Sequence, residues 1–194
     1  MPMPIKVTPA EFPGVLVIET GCFFDERGFF SETYSKPVWD AAGFTENFLQ
    51  DNLSLSRRGT MRGMHYQLEP HGMGKLVRVI SGAIFDVGID LRRNSPTFGT
   101  WYGRELNDDN KLALWFPAGF AHGFVALADD TLVHYKCNAT HAPQAERAIR
   151  YDDPDVAIAW PVKPTIVSKK DAAAPLFKEA EYNFVFDANS KVNG

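Results

Sequence analysis

The sequence predicts an all-β chain, a sandwich or barrel of short antiparallel strands with a few small helices in loops and toward the C-terminus. Three observations predict it. Short apolar or alternating runs recur between turn signals at 14–19, 28–34, 76–81, 83–91, 111–116, 123–127 and 132–137. Helical periodicity is scarce. With 45% hydrophobic and 23% charged residues, the composition is that of an ordinary globular protein. A length of 194 residues fits one domain spanning 1–194, large enough to bury a core without covalent staples.

The clearest strand is 83–91, where Phe85, Val87, Ile89 and Leu91 share one face and Asp86, Gly88 and Asp90 share the other. That two-residue period predicts a half-buried strand, preceded by a Ser81-Gly82 turn. A short helix is expected at 36–42, with Ser35 as its cap, Pro37 near its start and Gly43 just past its end. If 61–67 is a strand, alternation places Arg62, Met64 and Tyr66 on one face and Met61, Gly63, His65 and Gln67 on the other. A second short helix is expected after Asp171, its start limited by Pro175. No repeat, low-complexity segment or internal linker stands out.

The formal net charge of -4, with Lys and Arg scattered among the acids, offers no basic stripe for a nucleic-acid backbone. The first residues lack the basic start and apolar run of a secretory signal, and no apolar stretch approaches a membrane span. Cys22 and Cys137 fit buried reduced thiols better than a disulfide framework. The cytoplasm is therefore the expected compartment, with no nucleic-acid or membrane partner.

Two polar clusters could carry chemistry. The first is Arg57-Arg58-Gly59-Thr60-Met61-Arg62-Gly63-Met64-His65-Tyr66-Gln67, followed by Gly72-Met73-Gly74-Lys75. The second is Trp115-Phe116-Pro117-Ala118-Gly119-Phe120-Ala121-His122-Gly123-Phe124, in which a Pro-x-Gly turn delivers a histidine between aromatic strands. The Pro-x-Gly-x-x-His run resembles the second motif of cupins. Metal-binding cupins carry a His-x-His in the first motif, but Gln67 stands where the second histidine would be. His65 and His122 without a placed carboxylate fall short of the three protein ligands typical of a catalytic metal site, so no metal is expected.

Several separated motifs follow the dTDP-4-dehydrorhamnose 3,5-epimerase family in order and spacing. They include Asp25-Glu26-Arg27-Gly28-Phe29-Phe30-Ser31-Glu32, Gln50-Asp51-Asn52, Arg62-Gly63-Met64-His65-Tyr66-Gln67, Gly74-Lys75-Leu76-Val77-Arg78 and Phe85-Asp86-Val87. Farther along come the Pro117–Phe124 run, Tyr135-Lys136, Ile158-Ala159-Trp160-Pro161 and Ser168-Lys169-Lys170-Asp171. The chain thus resembles this family over nearly its whole length.

The resemblance implies a homodimer of cupin-type antiparallel barrels (jelly rolls) acting, without metal or organic cofactor, on a nucleotide-linked 4-keto-6-deoxyhexose. It implies His65 as general base oriented by Asp171, and Tyr135 as the acid on the opposite sugar face. The chemistry is consistent, because a C4 ketone acidifies the hydrogens at C3 and C5, and inversion needs a proton removed from one side and returned from the other. Lys75 is the candidate to stabilise the enolate oxygen. By the same carry-over Arg27, Glu32, Gln50, Asp51, Asn52, Arg62, His122 and Glu146 would contact the nucleotide or sugar, the arginines suiting a diphosphate.

One departure concerns the base. These epimerases often carry two neighbouring tyrosines after the Tyr-Lys pair, the second stacking on thymine, where this chain has Thr140 and His141. His141 is the expected stacking residue, with less ring area. The alternatives are a C3-only or C5-only epimerase, or one acting on a GDP- or CDP-linked keto-sugar.

Overall fold

The protein is described from a computed structural model, which covers residues 4–188. Two antiparallel sheets face each other as a jelly roll. The first runs β1 (Ile5–Pro9), β2 (Leu16–Thr20), β10 (Leu112–Phe116), β7 (Lys75–Ser81), β12 (Thr131–Cys137) and β5 (Gln50–Ser56). The second runs β13 (Glu146–Ala148), β6 (Thr60–Gln67), β11 (Phe120–Ala126), β8 (Ala83–Asp90) and β9 (Trp101–Asn107), with β14 (Ile166–Val167) parallel to β6. A separate hairpin pairs β3 (Phe23–Asp25) with β4 (Gly28–Phe30).

Alternation along each strand sorts side chains among three apolar clusters. On β2, Val17 faces between the sheets while Leu16 and Ile18 pack outside against Trp39 and Phe44. On β10, Leu114 and Phe116 point inward, and Ala113 and Trp115 point outward. The outer face of the second sheet is also covered, since Met61, Met64, Val87, Ile89, Ala121 and Val125 pack under Ile149, Val156 and Phe184 from later in the chain. Between the sheets, a polar cavity opens where inward-facing apolar residues give way to polar and charged ones.

The structure adjusts several expectations. The strand from Gly28 stops at Phe30 instead of 34, because the segment turns there toward α1 (Lys36–Ala41). Ser35 occupies the N-cap position of α1 but makes no side-chain cap bond, and Gly43 follows with φ +89. The C-terminal helix, α2 (Lys169–Ala172), begins before Asp171; Ser168 caps it by accepting the Asp171 amide at 3.0 Å. Strand β8 is buried on both faces, with Asp86 and Asp90 each 0% exposed. Asp90 is held by Arg92, Ser95 and Thr97, and Asp86 by His122.

Candidate active site

The inward faces of both sheets meet in one cavity of two connected lobes of about 290 and 300 Å3, both bordered by His65, Lys75 and Tyr135. From the first sheet, β5 sends in Gln50, Asn52 and Ser54; β7 sends Lys75, in line with core residues Val77 and Val79; and β12 sends Tyr135 and Cys137, in line with Val133. Register sets their spacing, with Tyr135 beside Asn52 and Val77, and Cys137 beside Gln50 and Lys75. From the second sheet come His65 and Gln67 on β6 and His122 and Phe124 on β11, with His65 directly opposite His122.

Simple alternation misplaces Arg62. Between two paired positions the register shifts, so that Arg62 to His65 on β6 spans the same stretch as Phe124 to His122 on β11. The extra residue is a bulge. It places Arg62 on the His65 side, where both line one lobe, and leaves Met61, Met64 and Tyr66 together in the outer core. Gly63 has φ +131, and a Cβ there would lie 2.4 Å from Gly123 Cα, so only glycine fits the bulge.

His65 Nε2 lies 2.7 Å from Asp171 Oδ1, and the other carboxylate oxygen faces the Gly63 amide at 3.5 Å. Burial pushes the Asp171 carboxyl up, but the His65 contact, with the Gly63 and Ser168 hydrogen bonds, outweighs it and holds the group below the ordinary aspartate range. An ionised Asp171 accepts Nε2–H, which leaves Nδ1 as the acceptor of a neutral ring. Lys75 Nζ donates to the His65 carbonyl at 3.2 Å, and burial lowers its pKa against the opposing pull of Cys137, Asp86 and Glu146. Burial also raises the Tyr135 phenol, so it keeps its proton at neutral pH.

At the rim, Gln50 accepts the His141 amide at 2.9 Å and donates to Asn52 at 3.0 Å. Glu146 sits between Lys170 at 2.8 Å and His141 at 3.5 Å. Arg62 is fixed by bonds to Ser56 Oγ and the Leu55 carbonyl. His122 is buried against Asp86 at 2.7 Å.

Of the residues singled out from sequence, the fold gathers Gln50, Asn52, Arg62, His65, Lys75, His122, Tyr135, His141, Glu146 and Asp171 around the cavity. Three lie outside its lining. Asp51 projects from the opposite face of β5 to pair with Lys136 at 2.7 Å, as strand alternation demands. Arg27 sits at the hairpin tip, paired with Asp25 and largely exposed. Glu32 follows that hairpin and lines neither lobe. Conversely, Met73, Cys137, Ser168 and Lys170 line the cavity without having been singled out. Lys170 was legible in the Ser-Lys-Lys-Asp motif and Met73 lay within the first polar cluster without a role of its own, whereas Cys137 read as an ordinary buried thiol. Among the described residues, no group of three or more His, Cys, Asp or Glu is placed to hold a metal ion.

Comparison with known proteins identifies the family. The dTDP-4-dehydrorhamnose 3,5-epimerase of Shigella flexneri is 45% identical over 179 residues, covering 92% of this chain and 99% of that protein. The Bacillus anthracis dTDP-4-dehydrorhamnose 3,5-epimerase, solved with TDP and PPi bound, superposes with a TM-score of 0.86 at 42% identity, covering 89% of this chain and 99% of that one. The Legionella pneumophila dTDP-6-deoxy-D-glucose-3,5-epimerase, solved with dTDP-4-keto-L-rhamnose, gives a TM-score of 0.85 at 42% identity over 91% and 94% of the two chains. The sequence profile of dTDP-4-dehydrorhamnose 3,5-epimerase matches residues 9–179, and the chain belongs to that family.

Proposed function

We propose that the protein epimerises C3 and C5 of dTDP-4-dehydro-6-deoxy-D-glucose, giving dTDP-4-dehydro-L-rhamnose. The observation that carries this reading is His65 on one sheet, paired with Asp171 of α2, and Tyr135 on the other sheet, bordering the same cavity with Lys75. Nδ1 of His65 takes the proton from the carbon beside the ketone. The enolate charge collects on the C4 oxygen, where Lys75, which borders both lobes beside His65 and Tyr135, meets it. Tyr135 returns a proton to the opposite face, and the second carbon follows by the same route.

Arg62 suits the diphosphate, since Ser56 and Leu55 brace its guanidinium at the cavity edge. Gln50, Asn52, Glu146 and His122 contact the remaining nucleotide or sugar groups, and the half-exposed ring of His141 stacks on the base. No metal or organic cofactor takes part, so protein treated with a chelator keeps full turnover; loss restored by added metal would refute this. The working form is a cytoplasmic homodimer of a single domain. No helix among the described residues is long and apolar enough to cross a membrane.

Incubation with dTDP-4-keto-6-deoxyglucose in deuterium oxide tests the reaction. NMR is expected to find solvent label at both C3 and C5. Label at one carbon alone would reassign the protein as a monoepimerase, and none at either would remove the proposed chemistry.

A further inference from the structure

The cavity holds a second histidine–carboxylate pair, whose carboxylate has no task in the reaction above and whose histidine has there only a general contact with the substrate. Asp86 on β8 is 0% exposed and His122 on β11 is 7% exposed; His122 Nε2 and Asp86 Oδ1 are 2.7 Å apart. The imidazole packs on Phe116, with ring centroids 5.6 Å apart, and lines the lobe shared by His65, Lys75 and Tyr135. Its remaining ring nitrogen, Nδ1, has no protein partner among the described residues and is left for that lobe. Asp86 Oδ2 is buried with no hydrogen-bond partner.

That orphaned oxygen discriminates between two protonation patterns. If Asp86 is ionised and accepts Nε2–H from a neutral ring, a buried carboxylate is left with an oxygen that no donor reaches, a costly state, and Nδ1 is a bare acceptor. If the pair holds one more proton, bridging Oδ1 and Nε2, the pair is neutral overall and the stranded oxygen costs far less. Wherever the bridging proton rests, Nδ1 then carries hydrogen. Burial pushes in the same direction, raising the Asp86 carboxyl and lowering the His122 ring, against their mutual attraction.

We propose that Asp86 is a positioning residue that shares a bridging proton with His122 Nε2, so that His122 presents Nδ1–H to the cavity as a second donor, with Lys75, to the oxygen that takes the enolate charge. The inference rests on the epimerase reading above. It gives the two histidines of neighbouring strands opposite tasks. Asp171 is held ionised and leaves His65 an acceptor, whereas Asp86 is drawn toward neutrality and makes His122 a donor.

The test combines histidine 15N NMR with kinetics. In the wild type, His122 Nδ1 is expected to show the shift of a protonated ring nitrogen; a bare Nδ1 overturns the proposal whether or not any variant folds. Asp86→Leu, with folding checked by thermal melting, is expected to lower kcat about ten- to a hundredfold with KM changed less than twofold, because an oxyanion donor acts chiefly in the transition state. Asp86→Asn retains more, since its amide can donate to Nε2. Because Asp86 acts through His122, adding Asp86→Leu to His122→Gln is expected to cost nothing further. Independent losses in the double variant, or full kcat in Asp86→Leu, would sink the assignment. A wild type that puts no deuterium into the substrate removes the epimerase reading and this inference together, whereas exchange that is indifferent to Asp86 removes this inference alone.

Discussion

At the scale of the residue, His65 and Asp171 are 106 positions apart, yet the cavity brings them within 2.7 Å. Their motifs were legible in the residues themselves; their contact was expected only through the family resemblance, because it depends on α2 folding back against β6. His65→Asn is expected to abolish deuterium exchange at every carbon, since an amide cannot take the proton, and exchange in a folded variant would take His65 out of the mechanism. Asp171→Asn is expected to slow turnover without ending it, because the base survives and loses only its charged orienter. Tyr135→Phe separates abstraction from inversion. With the hydroxyl gone, His65 can still form the enolate and return deuterium to the same face. Label should therefore enter with configuration retained, while epimer formation falls steeply. Epimer formed at the wild-type rate would show that another group supplies the second proton.

At the scale of the element, the apolar strands were legible because their period of two continues into a dry core. The predicted runs at 76–81, 83–91, 111–116 and 132–137 coincide with β7, β8, β10 and β12 to within one residue at each end. Two of the elements that read differently have identifiable reasons. Strand β5 carries an inverted pattern, with Gln50, Asn52 and Ser54 inward and Asp51, Leu53 and Leu55 outward, because its inner face lines the cavity. Strand β6 contains a bulge that no alternation rule foresees, and the bulge is what places Arg62 beside His65. Gly63→Ala tests that element. The added methyl would meet Gly123 Cα at 2.4 Å and the His122 carbonyl at 2.8 Å, both backbone and therefore unable to rotate away. A loss of about 2–4 kcal/mol in urea unfolding is expected, from overpacking combined with a strained φ. Deuterium exchange should fall as well, since His65 and His122 would be forced apart. A variant as stable and active as wild type would show that the bulge is not fixed by this glycine.

At the scale of the whole molecule, three features lack an account within one chain. The hairpin exposes Phe23, Phe24, Phe29 and Phe30 at 55–71%. The outward face of the first sheet exposes Leu53, Leu55 and Ile80 at 64%, 60% and 49%. Arg27 and Glu32, which the family resemblance assigns to ligand contact, lie outside the cavity lining of their own chain. Large apolar side chains gathered this densely are a usual mark of an association surface, and in the proposed homodimer a second copy would cover the apolar faces and take the hairpin's polar residues near its own cavity. Sedimentation is therefore expected to give a dimer at micromolar concentration. Leu53→Glu with Leu55→Glu should shift it toward monomer, because two carboxylates would lose hydration against an apolar partner face while the inward side of β5 stays untouched. Arg27→Ala should raise KM without changing the oligomeric state if the ligand contact that the family resemblance implies for its guanidinium holds. A monomeric wild type, or a Leu53→Glu/Leu55→Glu variant that remains fully dimeric, would mean that these surfaces serve some other contact, and an unchanged KM in Arg27→Ala would mean that Arg27 takes no part in binding.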